Sequence, residues 1–89
     1  MEINKHYMLV LPRGEETFPV LPDWTPGVKT ASSEEPFVLH NRQVYKVIGK
    51  ISFSFNMVGW RLADSNGRCW VMPMSESTDA MFRLVNLRR

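Results

Sequence analysis

Two histidines, one cysteine and nine carboxylates are the first groups to test for metal, nucleophilic or acid–base chemistry in this 89-residue chain. A zinc-type site needs several ligands at short spacing, as in Cys-x-x-Cys or His-x-x-x-His. His6 and His40 stand far apart and no such spacing occurs, so no metal is expected and the histidines fit strand-end surface groups. A reactive thiolate needs an electropositive setting. Cys69 lies in the arm of a predicted hairpin with no histidine nearby in sequence, which fits a half-buried packing residue. There is no Gly-x-Ser-x-Gly elbow and no glycine-rich phosphate cradle. The carboxylates are scattered over loop-like stretches, and no acid and base stand paired. The expectation is a protein with no catalytic residues and no cofactor: a binding module, not an enzyme.

Recognition must then rest on aromatic and basic residues. The segment "WRLADSNGRCWVMP" (60–73) has two tryptophans flanking a turn signal, with Arg61 and Arg68 inside them. "LPDWTP" places Trp24 in an extended, proline-rich run; tryptophan is a preferred interface anchor. The chain ends on Arg88 and Arg89. The candidate partner-binding set is therefore Trp24, Arg61, Arg68, Arg88 and Arg89. A second set suits nucleic acid. "KISFSF" (50–55) resembles the basic, aromatic-x-aromatic strand of cold-shock and RNA-recognition modules, whose aromatics stack on bases. That resemblance implies Phe53 and Phe55 as stacking contacts, and the basic C-terminal half offers Lys46, Lys50, Arg88 and Arg89 to phosphates. The glycines that let bases approach in those modules are replaced here by Ile51, Ser52 and Ser54, and Phe53 and Phe55 alternate in phase with Ile51 and Met57, as core residues do.

Charge is uneven along the chain. Residues 1–40 carry three basic and six acidic groups, a balance of −3; residues 41–89 carry eight basic and three acidic groups, a balance of +5. Such asymmetry marks a surface for an acidic partner, unless the two halves neutralise each other in the fold. With one cysteine no internal disulfide can form, and the longest apolar run near the start, "YMLVL", is short of a secretory signal. A soluble protein in a reducing, cytoplasmic setting is expected. No run approaches the roughly 20 apolar residues of a membrane helix.

The elements that must position these residues are mostly strands. "HYMLVL" (6–11) reads as a strand, and "TFPVL" (17–21) as a second, which Pro19 confines to an edge. Residues 22–36 are rich in Pro, Gly, Ser and Thr and read as a long loop. "FVL" (37–39) and "QVYKVI" (43–48) follow as strands. Gly49-Lys50 suits a two-residue hairpin turn, and "ISFSFNM" (51–57) alternates as a half-buried strand. Beyond Met57 the apolar parity inverts to Val58, Trp60 and Leu62, with Gly59 at the inversion, as at a bulge or bend. "DSNG" (64–67) predicts a type I turn followed by a left-handed glycine. That register sets Trp60 opposite Met72 and Leu62 opposite Trp70, with Arg61, Ala63, Cys69 and Val71 on the other face. A two-residue turn on Asn66-Gly67 would instead set Trp70 beside Arg61; the first register sorts the large apolar groups onto one side and is preferred. "SESTDA" (75–80) reads as a polar break or one helical turn. "MFRLVNL" (81–87) closes as a strand, or as a short helix capped by Ser77, before a basic tail at 87–89.

"VYKVIGKISFSF", "GWRLADSNGRCWVMP" and "MFRLV" together resemble the strand order of SH3-like small barrels. The resemblance covers about half the chain and is one of fold. It implies a single all-β domain over residues 1–89, a partly open barrel of five to six short antiparallel strands that binds peptides, nucleic acids or proteins and is seldom catalytic alone. Small accessory proteins of bacteria and phages share this build. The expected function is an adaptor or inhibitor that modulates a larger machine through protein contact. Nucleic-acid binding through the basic half is the alternative.

Overall fold

The computed structural model describes residues 1–23, 37–53 and 57–86, with Phe53 described by its backbone alone. The expectations placed on Phe55, Arg88, Arg89, on residues 24–36 of the loop with Trp24, and on the 87–89 tail fall outside these residues. Eight strands occur among the described residues: β1 (His6–Leu9), β2 (Thr17–Pro19), β3 (Leu21–Pro22), β4 (Val38–His40), β5 (Val44–Phe53), β6 (Met57–Ala63), β7 (Cys69–Pro73) and β8 (Phe82–Val85). One helical turn, α1 (Glu76–Asp79), lies between β7 and β8. Six strands form an antiparallel sheet in the order β3-β7-β6-β5-β1-β8, and β2 pairs with β4 in a second, two-stranded sheet. The all-β expectation holds. The sheets are not closed into a barrel: the larger one ends on β3 and β8.

The 60–73 hairpin adopts the preferred register. Trp60 pairs with Met72, Arg61 with Val71, Leu62 with Trp70 and Ala63 with Cys69. At its tip the Gly67 N–H donates to the Asp64 carbonyl at 3.1 Å, and Gly67 takes a φ of 80°. That left-handed backbone strains any residue with a Cβ. Trp60 and Trp70 are each 4% exposed, so the indoles line the core. With Leu62 and Met72 they join Tyr7, Leu9, Tyr45, Val47 and Phe82 in one cluster, completed by Val20 and Leu39 from the side of the small sheet.

Three local expectations are corrected. First, Gly49-Lys50 is no turn: both residues lie inside β5, paired with Arg61 and Trp60. The chain reverses between Phe53 and Met57, a ladder pair, so "ISFSFNM" spans the end of one strand and the start of the next. Strict alternation ran through the reversal and concealed it. Second, the ladder stays in register through Gly59; the bulge is at Ile48, between the pairs Val47–Leu62 and Gly49–Arg61. The parity inversion after Met57 belongs to the turn. Third, "TFPVL" is split. β2 pairs with β4 and β3 with β7, so Leu21 and Pro22 belong to the large sheet and not to a loop.

At the C-terminal end the strand reading holds, since β8 pairs with β1. The alternative of a terminal helix capped by Ser77 does not form, and the helical turn at 76–79 has Ser75 as its cap. The Ser75 hydroxyl accepts from the Thr78 N–H at 3.2 Å and the Thr78 hydroxyl from the Ser75 N–H at 3.1 Å, a reciprocal capping box.

Candidate functional site

Period-two alternation gives the large sheet two unlike faces. The inner face bears Tyr7 and Leu9 of β1, Tyr45 and Val47 of β5, Trp60 and Leu62 of β6, and Trp70 and Met72 of β7, all buried. Three of its polar groups are hydrogen-bonded. Tyr7 Oη accepts the Glu2 N–H at 2.8 Å, Tyr45 Oη accepts the His40 N–H at 2.9 Å, and Trp60 Nε1 donates to Asp79 Oδ1 at 3.0 Å. Burial pushes the Tyr45 phenol above its ordinary pKa, and the bond from His40 only partly offsets it. Trp70 Nε1 has no acceptor among the described residues.

The outer face divides in two. On β6 and β7 it is closed: Cys69 is 5% and Val71 4% exposed. Here Arg61 lies across Gly49, its Cδ 3.8 Å from where a Cβ on that glycine would sit. Its Nε donates to Oδ2 of Asp23 at 2.9 Å. Asp23 follows directly on β3 and is fully buried. Desolvation raises the Cys69 pKa, and the neighbouring Asp23 carboxylate adds to the shift. The thiol, 3.6 Å from the Gly67 carbonyl oxygen, is held neutral.

On β8, β1 and β5 the outer face is open. Ladder pairs place Val85, His6, Lys46 and Ala63 in one row across the sheet, and Arg83, Met8 and Val44 in the next. All are half-buried except Arg83, which is exposed. A depression of about 360 Å³ lies here, lined by His6, Val44, Lys46, Ala63, Asp64 and Ser65. A second, of similar volume and more polar, lies on the other side of the hairpin tip between Glu16, His40, Gln43 and Arg68.

Asp64 separates the two depressions and its carboxylate is fully engaged. Oδ1 accepts the N–H groups of Asn66 and Arg68, and Oδ2 accepts Arg68 Nε at 3.0 Å. A carboxylate so occupied is a structural clamp and not a base. Among the described residues no group of three His, Cys, Asp or Glu is placed to hold a metal ion. No helix of the described residues is long and apolar enough to cross a membrane.

The residues singled out in the sequence are thus dispersed. Arg61 is bound to Asp23 on the closed half, and Arg68 to Asp64 at the tip. Because Ile48 is an extra residue in β5, Lys46 and Lys50 face opposite sides of the sheet. Lys46 pairs with Ala63 on the outer face; Lys50 pairs with Trp60 and holds its ammonium 5.2 Å from the Trp60 ring centroid. Phe53 closes the ladder opposite Met57. Sequence inspection missed His6, Met8, Val44, Ala63, Arg83 and Val85. The available signal was the alternation of "HYML" and "VYKV", which sets His6 and Lys46 on one side and the tyrosines on the other.

Comparison with protein-family models, with curated proteins and with solved structures gives no match for this chain.

Proposed function

We propose that this chain is a non-catalytic protein-binding module, an adaptor or inhibitor of the small SH3-like kind that modulates a larger assembly. The observation that carries this reading is the open half of the outer face, where Met8, Val44, Ala63 and Val85 lie side by side and are only half-buried, beside a depression of about 360 Å³. A sheet face of this composition gains free energy when covered, at about 25 cal/mol per Å² of apolar area. The dispersal of the basic residues favours protein over nucleic acid. A phosphate-tracking surface needs a continuous row of cations. Here two arginines are held by carboxylates and two lysines face apart.

The test is cross-linking in a cell extract with wild-type protein and with Val44→Glu, which places a charge on the open face. Loss of specific protein adducts in the variant, at unchanged melting temperature, is the expected result. Titration with single- and double-stranded nucleic acid at low salt accompanies it. Strong, salt-sensitive binding there, with no protein adducts, rejects the reading.

A further inference from the structure

We propose that the open half of the outer face docks an acidic amphipathic helix of another protein, its apolar stripe lying over Met8, Val44 and Val85 and its carboxylates meeting Lys46 and Arg83. The inference rests on the protein-binding reading above and adds the chemistry of the partner.

Charge complementarity selects that occupant. On this face the ladder sets Lys46 and Arg83 in adjacent rows, on either side of the apolar positions of β1 and β5. The carboxylate at its margin, Asp64, is satisfied by two backbone N–H groups and by Arg68. The remaining formal charge offered to a visitor is therefore positive. Arg83 is held in place by its own fold, since its Nη1 donates to the Ala80 carbonyl at 2.8 Å. An arginine already oriented loses less side-chain entropy when it meets a carboxylate.

Geometry selects a helix over a strand. The half-buried apolar groups of this face are spread over β8, β1, β5 and β6, rather than confined to one strand. A strand adding to the β8 edge would leave Met8, Val44 and Ala63 as exposed as before. A helix laid on the face covers several strands at once with side chains spaced i, i+3, i+4 and i+7. The depression beside Val44 and Ala63 is the socket for its largest apolar side chain.

The experiment uses the full chain labelled for backbone amide NMR and three model peptides. One is a helical peptide with a leucine stripe and flanking glutamates; the second replaces the glutamates by lysines; the third scrambles the first. Expected are shifts confined to residues 6–8, 44–46, 63 and 83–85 with the acidic helix, and affinity at least about tenfold weaker for the lysine and scrambled peptides. The double variant Lys46→Glu/Arg83→Glu should reverse the preference between the acidic and lysine helices. Equal binding of the acidic and lysine helices, failure to bind the acidic helix, shifts at the β8 edge alone, or a dimer that masks this face in solution each overturn the proposal. So does displacement of the acidic helix by a DNA duplex from the same amides. If cross-linking is abolished by Val44→Glu while the acidic helix fails to bind, the protein-binding reading stands and only the partner's chemistry is wrong.

Discussion

The two halves of the outer sheet face start from similar material and end differently. Over β6 and β7, Cys69 and Val71 are buried, and a fully buried carboxylate reaches across to Arg61. Over β8, β1 and β5, Met8, Val44 and Val85 stay half-buried and Lys46 makes no ion pair among the described residues. The closed half shows that covering this face takes a polar anchor as well as apolar surface. A carboxylate survives burial only where a cation and hydrogen bonds receive it. The open half has its cations in position and no described carboxylate arriving from elsewhere in the chain.

The largest loss of stability is expected from the core that both halves share. Trp70→Ala removes a buried indole and should cost about 3–5 kcal/mol in chemical denaturation. A wild-type midpoint would show that the inner face does not carry the fold. Next is the closed half: Arg61→Ala leaves Asp23 without its guanidinium and should cost about 3 kcal/mol. Asp23→Asn keeps an acceptor and should cost less. If the two cost the same, the pair acts through its charge and not through the hydrogen bond. Smaller again is Gly67→Ala, which forces a Cβ into left-handed backbone at the hairpin tip and should cost about 1–2 kcal/mol. Smallest is the open half, where Lys46→Ala should change stability by less than about 0.5 kcal/mol. A loss comparable to that of Arg61→Ala would mean that Lys46 also has a structural role.

A pH scan sharpens the same contrast. Burial raises the Cys69 thiol above its ordinary value of 9.0, so the folded chain holds this proton more tightly than the unfolded one. The thiol's contribution is therefore fully present below about pH 9 and is lost as pH rises through the folded value. Denaturation midpoints should decline over that range in the wild type and decline less in Cys69→Ala. Alkylation of the native thiol at neutral pH should be slow; rapid labelling would show that the closed half opens readily.

How much of this was legible beforehand depended on whether a local signal pointed one way. The 60–73 hairpin was, because the Asp-Ser-Asn-Gly turn and the placement of Trp60, Leu62, Trp70 and Met72 demand the same register. The reversal after Phe53 was not, because apolar alternation continues past it while Gly49-Lys50 imitates a turn. Arg61 looked like a rim cation because its anchor, Asp23, is 38 positions away, beyond any local pattern. The open face was hidden for a related reason: "HYML" is apolar at three of its four positions, and which side stays uncovered is decided by how distant strands pack.

The extra residue at Ile48 has a consequence for how the chain tolerates length changes. Deleting it would restore strict alternation along β5, with Lys46 and Gly49 still on the outer side and Val47 and Lys50 still on the inner one, so the ladder should survive the loss. The same loss in β6, at Arg61, would make Trp60 and Leu62 neighbours and turn one of them away from the core.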